Sequence, residues 1–308
     1  MASIKDAYDF MGYRKLATVV SGLLILVSLY SLVTQGLKLG LDFTGGTLVE
    51  VQYDQSAELS TIRSTLESAG YEDAVVVHFG SDRDVLIRLP VSNSSTLGDE
   101  IVADLSANYD GDIDLLRIEF VGPQVGEELR EQGGLGLLVA LLCVMAYVAF
   151  RFQFKFSLGA VAALIHDVVI TLGVFSLAKW DFDLTVLAAF LAVIGYSLND
   201  TIVVSDRIRE NFRLLRKGSP TEVINHSLTQ TLSRTLVTSA TTLLVLTSLF
   251  LFGGDIIHGF ATALIIGVIV GTYSSIFVAA NVLLALNISK EDLALPVKEG
   301  AEFDDMMP

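Results

Sequence analysis

Six separate runs of mainly apolar residues, each near the length of a membrane-crossing helix, constrain this chain more than any other feature. A helix rising 1.5 Å per residue needs about twenty such residues to cross roughly 30 Å of hydrocarbon. The runs cover Leu16 to Val33, Leu135 to Phe150, Ser157 to Ala178, Leu184 to Ser205, Thr235 to Phe252 and Phe260 to Leu286. They predict an α-helical membrane protein with six transmembrane helices. Composition agrees, because 52% of the 308 residues are hydrophobic and only 18% are charged, a balance that no soluble domain of this size needs. Arg14 and Lys15 precede the first run as they would in a signal peptide, but no small-residue cleavage site follows, so it reads as a retained anchor.

Basic residues predict the orientation. Lys5, Arg14 and Lys15 precede the first span, Arg151 and Lys155 join the second to the third, and Arg207, Arg209, Arg213, Arg216 and Lys217 follow the fourth. With six spans all of these fall on one side, which the positive-inside bias makes the cytoplasm. Residues 1–15 and the acidic tail 291–308 are then cytoplasmic, and residues 36–132 form an external domain, periplasmic in a double-membrane bacterium. The tail carries no pattern that promises structure, and disorder is expected there.

The external segment alternates strand-like and helix-like patterns. Thr47 to Tyr53, Val75 to Phe79, Val85 to Pro90 and Ile113 to Val121 read as strands, and Ser60 to Ser68 and Leu97 to Ala107 as helices. That order suggests a small α+β, ferredoxin-like domain. In the cytoplasmic loop 206–234, Ser219, Pro220 and Glu222 match an N-cap, a first-turn proline and a capping-box acid. Val223, Ile224, Leu228 and Leu232 then recur at helical spacing, which predicts an amphipathic helix on the membrane surface before a turn into span five.

Several functions are disfavoured by what the sequence lacks. The net charge of −15 comes from acids crowded into the external segment and the tail, which argues against a nucleic-acid partner. The single Cys143 lies in an apolar run and reads as packing, leaving no disulfide framework. No phosphate-binding glycine loop, metal-ligand spacing among the four histidines, or nucleophile with a nearby base is visible, so neither an enzyme nor a cofactor is expected.

Ionisable residues at membrane depth are expensive and therefore functional candidates. His166 and Asp167 fall near the middle of span three, Asn199 and Asp200 lie toward the cytoplasmic side of span four, and Arg234 begins span five. Asp200 and Arg234 thus share a depth on antiparallel spans, and a guanidinium that approaches or retreats would change the proton affinity of the carboxylate. A static pair that fixes helix packing is the plain alternative. His166 and Asp167, as helix neighbours, point to different faces and are not expected to form one site; a polar contact between helices explains them equally. In span six, Gly259, Ala263, Gly267, Gly271 and Ser275 repeat every fourth residue, a stripe that lets helix backbones pack closely. Thr272, Ser274 and Ser275 also offer hydroxyls for a hydrated path.

Four stretches carry a resemblance. Leu39 to Thr47 reads LGLDFTGGT, where Gly45 and Gly46 suit a tight turn and Asp42 would cap or orient it. IHDV covers Ile165 to Val168, VIGYSLNDTIVVSDRIREN covers Val193 to Asn211, and SLTQTLSRTLVTSATT covers Ser227 to Thr242. Together, in this order and on these spans, they resemble the SecD/SecF protein-export family. The resemblance implies a half of a pseudo-symmetric twelve-span assembly related to the resistance-nodulation-division exporters, formed with SecD in trans. It implies association with the SecYEG channel and YajC, and capture of an unfolded polypeptide as it is exported across the inner membrane. By motif position the family's proton-pathway carboxylate falls on Asp200 and its arginine on Arg234.

Overall fold

A computed structural model of the protein describes residues 7–71, 74–89, 97–215, 218–289 and 292. Lys5, Pro90, Arg216, Lys217 and the acidic tail apart from Asp292 lie outside the described residues, so the disorder expected of the tail falls there too. Six helices among the described residues are long and apolar enough to cross a membrane. They are α1 (Arg14–Thr34), α5 (Pro123–Arg151), α6 (Phe154–Ala178), α7 (Leu184–Leu214), α8 (Pro220–Phe252) and α9 (Asp255–Ala285). Helices α6, α7 and α9 form the buried centre of the bundle, whereas α1, α5 and α8 leave most of their surface outward. An outward apolar surface suits contact with lipid or with another helix, since neither costs what water would. Cys143 belongs to that outward surface on α5; it is exposed and does not pack inside the chain, contrary to the sequence reading.

Between α1 and α5 the chain builds a small α+β unit. A short segment β1 (Lys38–Leu39) and one helical turn α2 (Leu41–Thr44) precede β2 (Gly46–Tyr53), α3 (Leu59–Ser68), β3 (Val75–Phe79), β4 (Ser81–Leu89), α4 (Leu97–Ser106) and β5 (Ile113–Val121). The last six elements form a βαββαβ series whose four-stranded antiparallel sheet has the order β3-β4-β2-β5. Alternation along β2 and β4 sends Val49, Val51, Val85 and Ile87 to one face, where Ile62 and Leu66 of α3 and Ile101 of α4 close a fully apolar core. The other sheet face looks onto the ends of the long helices across a cavity of about 760 Å³, with Leu48, Leu86 and Arg117 above and Trp180, Phe250 and Ile265 below.

Two boundaries differ from the sequence reading. Helix α5 starts at Pro123, so the last ten residues assigned to the external domain are helix, made possible by proline at the first helical position after Gly122. Helix α8 starts at the expected capping box, with Glu222 N donating to Ser219 Oγ at 3.3 Å and Ser219 N to Glu222 Oε2 at 2.7 Å. It then runs unbroken to Phe252, with no surface helix and no turn before span five. Its first turns face protein: Val223, Ile224 and Leu228 join Ile208, Phe212 and Phe152 in the main core. Asn225 also holds the N-terminal segment, accepting from Met11 N at 3.0 Å and donating to Asp9 Oδ1 at 2.9 Å.

Candidate functional site: two buried carboxylates joined by hydroxyls

The polar residues at membrane depth gather around Asp167 and Asp200. On α6, His166 and Asp167 are both almost fully buried, and His166 Nδ1 lies 2.8 Å from Asp167 Oδ1. The expectation that these neighbours form no common site is therefore corrected. Their Cβ atoms diverge, but the carboxylate turns back to the adjacent ring while its other oxygen faces α7 and α9. That oxygen, Oδ2, accepts the hydroxyls of Ser197 on α7 and Ser274 on α9, the latter at 2.7 Å. The backbone carbonyl of Asp167 accepts from Thr171 Oγ1 at 2.7 Å, so the hydroxyl stays inside its own helix.

Asp200 lies one turn beyond Ser197 on the same face of α7 and is half-buried. Its Oδ1 accepts Thr235 Oγ1 of α8 at 2.7 Å, and its Oδ2 accepts the hydroxyl of Ser275. Adjacent serines of α9 thus serve different carboxylates, Ser274 for Asp167 and Ser275 for Asp200. A second hydroxyl string runs alongside: Tyr196 donates to Ser239 at 3.0 Å, and Ser239 contacts Thr272 at 2.7 Å. Hydrogen bonds to an ionised group contribute about 1.5 to 3 kcal/mol each, enough to hold a carboxylate where its desolvation cost is high.

The expected Asp200–Arg234 ion pair is not formed among the described residues. Arg234 sits on the exposed side of α8, and Thr235, its neighbour, points to the carboxylate instead. Asn199 is likewise exposed beside the half-buried Asp200.

The glycine stripe of α9 is what brings these groups together. A Cβ on Gly267 would stand 2.2 Å from Val193 Cγ2, and one on Gly271 would stand 3.2 Å from Ser197 Cβ and 3.5 Å from Asp167 Oδ2. Gly259 faces Val186 in the same way and Ala263 is fully buried between them. Ser275 ends the stripe as a donor to Asp200 and not as a small packing residue.

At the other end of α7, the LGLDFTGGT motif does more than turn the chain. Asp42 Oδ2 accepts from Leu184 N at 3.0 Å, tying the motif to the first turn of the helix that carries Asp200, whose own N-cap is Asp183, accepting from Val186 N at 2.8 Å. Gly45 (φ +70°) and Gly46 (φ +136°) hold conformations that side chains rarely adopt. A Cβ on Gly45 would meet Pro123 Cα at 2.9 Å, and one on Gly46 would meet Leu89 O at 2.7 Å. Parallel pairing of β1 with β6 (Asp181–Phe182) ties the same corner to the link between α6 and α7.

With this geometry in place, comparison with known proteins is decisive. Residues 101–289 match the family model described as the C-terminal part of the protein export membrane proteins SecD/SecF, and residues 30–57 match the SecD/SecF GG motif. The chain belongs to the SecD/SecF protein-export family. It is 54% identical over 302 residues to the protein translocase subunit SecF of Vibrio alginolyticus, covering 96% of each chain. The SecF of Pseudomonas aeruginosa is 54% identical over 289 residues, with 94% of each chain covered. The crystal structure of SecDF from Thermus thermophilus, a translocon-associated membrane protein, superposes with a TM-score of 0.83 at 38% identity. That match covers 93% of this chain and 40% of the solved one, so this chain spans about two fifths of that SecDF. A SecDF structure in a Super-membrane-facing form matches over the same 93% with a TM-score of 0.68.

Sequence reasoning singled out both carboxylates, the motif glycines and the hydroxyls of Ser274 and Ser275 in this SecD/SecF protein, but missed the donors Ser197 and Thr235. Ser197 carried a signal, three residues before Asp200 on one helix face. Thr235 did not, because only packing reveals which hydroxyl meets which acid.

Proposed function

We propose that this chain is the SecF-type subunit of a SecDF accessory complex, which uses the proton motive force to assist late steps of polypeptide export across the bacterial inner membrane. The observation that carries the proposal is Asp200: a carboxylate at membrane depth, held by hydroxyls from two other helices and not neutralised by any cation among the described residues. Such a group gains or loses a proton at modest cost when helices shift, because the hydroxyls donate to its ionised form and adapt to its neutral one. His166, Asp167 and Asn199 belong to the same pathway in this reading.

Arg234 points to the missing half. An arginine facing hydrocarbon costs about 2.5 to 3.5 kcal/mol on insertion scales, so the exposed side of α8 calls for a covering partner. SecD is the partner proposed, completing a twelve-span assembly of the resistance-nodulation-division type with Arg234 and Asn199 at the junction. SecYEG and YajC are proposed as its neighbours, lipid as its surround, and an unfolded exported polypeptide as its cargo. The βαββαβ series and its strand order support a ferredoxin-like domain, and the bias of basic residues to the other side supports a periplasmic place for it, where it contacts this cargo, with both termini cytoplasmic. The two TM-scores, 0.83 and 0.68 at one identity and coverage, support different domain placements among relatives, as a moving capture device requires.

Export from inverted membrane vesicles, with and without an ion gradient, tests the reading. Asp200→Asn and Arg234→Met, each with SecD still bound in pull-down, are expected to lose gradient-stimulated completion of translocation. Normal completion in both would leave the chain a passive assembly subunit.

A further inference from the structure

The hydrogen bonds that leave His166 on its other side run along α1 and α9, and their donors can be counted. Tyr273 donates its single proton to Ala17 O at 2.9 Å. Its oxygen, 3.1 Å from Ser21 Oγ, is then an acceptor for the serine proton. Ser21, having spent that proton, is left to accept, and the atom 3.2 Å away is His166 Nε2. His166 Nε2 therefore carries a hydrogen, and a second lies between Nδ1 and Asp167 Oδ1, which are 2.8 Å apart. The rings of His166 and Tyr273 stack with centroids 5.9 Å apart, which holds the string in register.

From this count we infer that Asp167, His166, Ser21 and Tyr273 form a proton relay from the centre of the bundle to the end where α1 begins and α9 finishes. The inference rests on the proton-coupled reading above and adds its cytoplasmic limb. In the loaded state the Asp167–His166 pair holds two protons. On discharge the Nε2 proton passes to Ser21 Oγ, the serine proton passes to the Tyr273 oxygen, and the tyrosine proton leaves toward solvent. The shared proton settles on Nδ1 and Asp167 becomes a carboxylate, stabilised by the hydroxyls of Ser197 and Ser274. Each hydroxyl has gained one proton and lost one, and the pair has lost one. Ser21 lies about 10 Å along α1 from Arg14, so the string climbs most of the way out. Beyond it, Asn281 Nδ2 reaches Arg14 O and Thr18 Oγ1 at 3.3 Å each. Its buried Oδ1 has no protein partner among the described residues. The groups facing the pair are Ser21 from α1, Ser197 from α7 with Asp200 one turn on, and Tyr273 and Ser274 from α9.

The test is gradient-stimulated export by the complete complex in inverted vesicles, across a range of pH on the cytoplasmic side. Tyr273→Phe keeps the ring stack and Ser21→Thr keeps a hydroxyl, while Ser21→Ala removes one. Tyr273→Phe and Ser21→Ala are expected to cut the stimulated rate about tenfold or more and to shift its pH profile, with Ser21→Thr restoring both. If Asp200→Asn abolishes stimulation while Tyr273→Phe and Ser21→Ala keep the wild-type rate, the relay is overturned and the proton-coupled reading stands. Stimulation retained in Asp200→Asn as well overturns both, and an equal reduction at every pH shows a merely structural clasp and overturns the relay. Should the variants lose SecD, the wild-type complex decides through the ¹⁵N resonances of His166. Loss of the Nε2 proton as Asp167 ionises supports the relay, and an Nε2 that stays protonated throughout overturns it.

Discussion

At the scale of single residues, the site is a set of acids whose positions were legible and whose partners were not. Counting residues along an apolar run gives depth, so Asp167, Asp200 and Arg234 could be placed from the sequence. Azimuth is a different matter: Arg234 and Thr235 differ by about 100° around α8, and only packing decides which one meets Asp200. The same ambiguity hid the turn of Asp167 back to His166. Removing one donor tests the geometry directly. Ser275→Ala takes away one of the two hydroxyls on Asp200, a bond of about 1.5 to 3 kcal/mol if the acid is ionised. The expected result is a shifted infrared band for the Asp200 carboxyl as one of its two hydrogen bonds is lost, with Thr235→Val acting in the same direction.

Among whole elements, close packing and caps do the organising. The capping box of α8 was legible from Ser219, Pro220 and Glu222, but its unbroken course into the membrane was not, because periodicity alone cannot tell a lipid surface from a protein one. Gly267→Ala is expected to destabilise the bundle by about 1 to 3 kcal/mol through overpacking on Val193, seen as a lower melting temperature in detergent and relieved by Val193→Ala. Asp42→Ala should cost about 1 kcal/mol by leaving Leu184 N without its acceptor while Asp183 still caps the helix, with faster hydrogen exchange confined to the first turn of α7. In the sheet, Asp84 accepts Ser81 Oγ at 2.7 Å and Gln52 Nε2 at 2.6 Å, and these bonds hold its carboxyl below the ordinary 3.8. A carboxyl depressed by folding stabilises above its unfolded value and ceases to as pH falls through the folded one. The β3–β4 hairpin should therefore lose exchange protection only in acid below 3.8, and Asp84→Asn should abolish that acid dependence.

For the whole molecule, the six-helix plan was visible in hydropathy, whereas the outward face of Arg234 becomes visible only in three dimensions. Helix α8 exposes Leu236, Val237, Leu244 and Val245 on the surface that also carries Arg234. Because Cys143 is the only cysteine, Cys143→Ser gives a clean background for a reporter at that surface. Arg234→Cys in that background should cross-link to SecD through a short reagent, whereas Leu138→Cys on the outward side of α5 should not. Cross-linking at both positions, or at neither, would contradict a junction on α8. The hydrogen bond from Leu184 N to Asp42 has a mechanical meaning at this scale. Sixteen residues, about 24 Å of helix, separate Leu184 from Asp200, so a stiff rod joins the corner of the α+β domain to Asp200. Coupling along a rod is reciprocal. If taking up a proton pushes the domain, then a cargo that drags on the domain must alter how tightly the proton is held, and the protein would register load as well as deliver force.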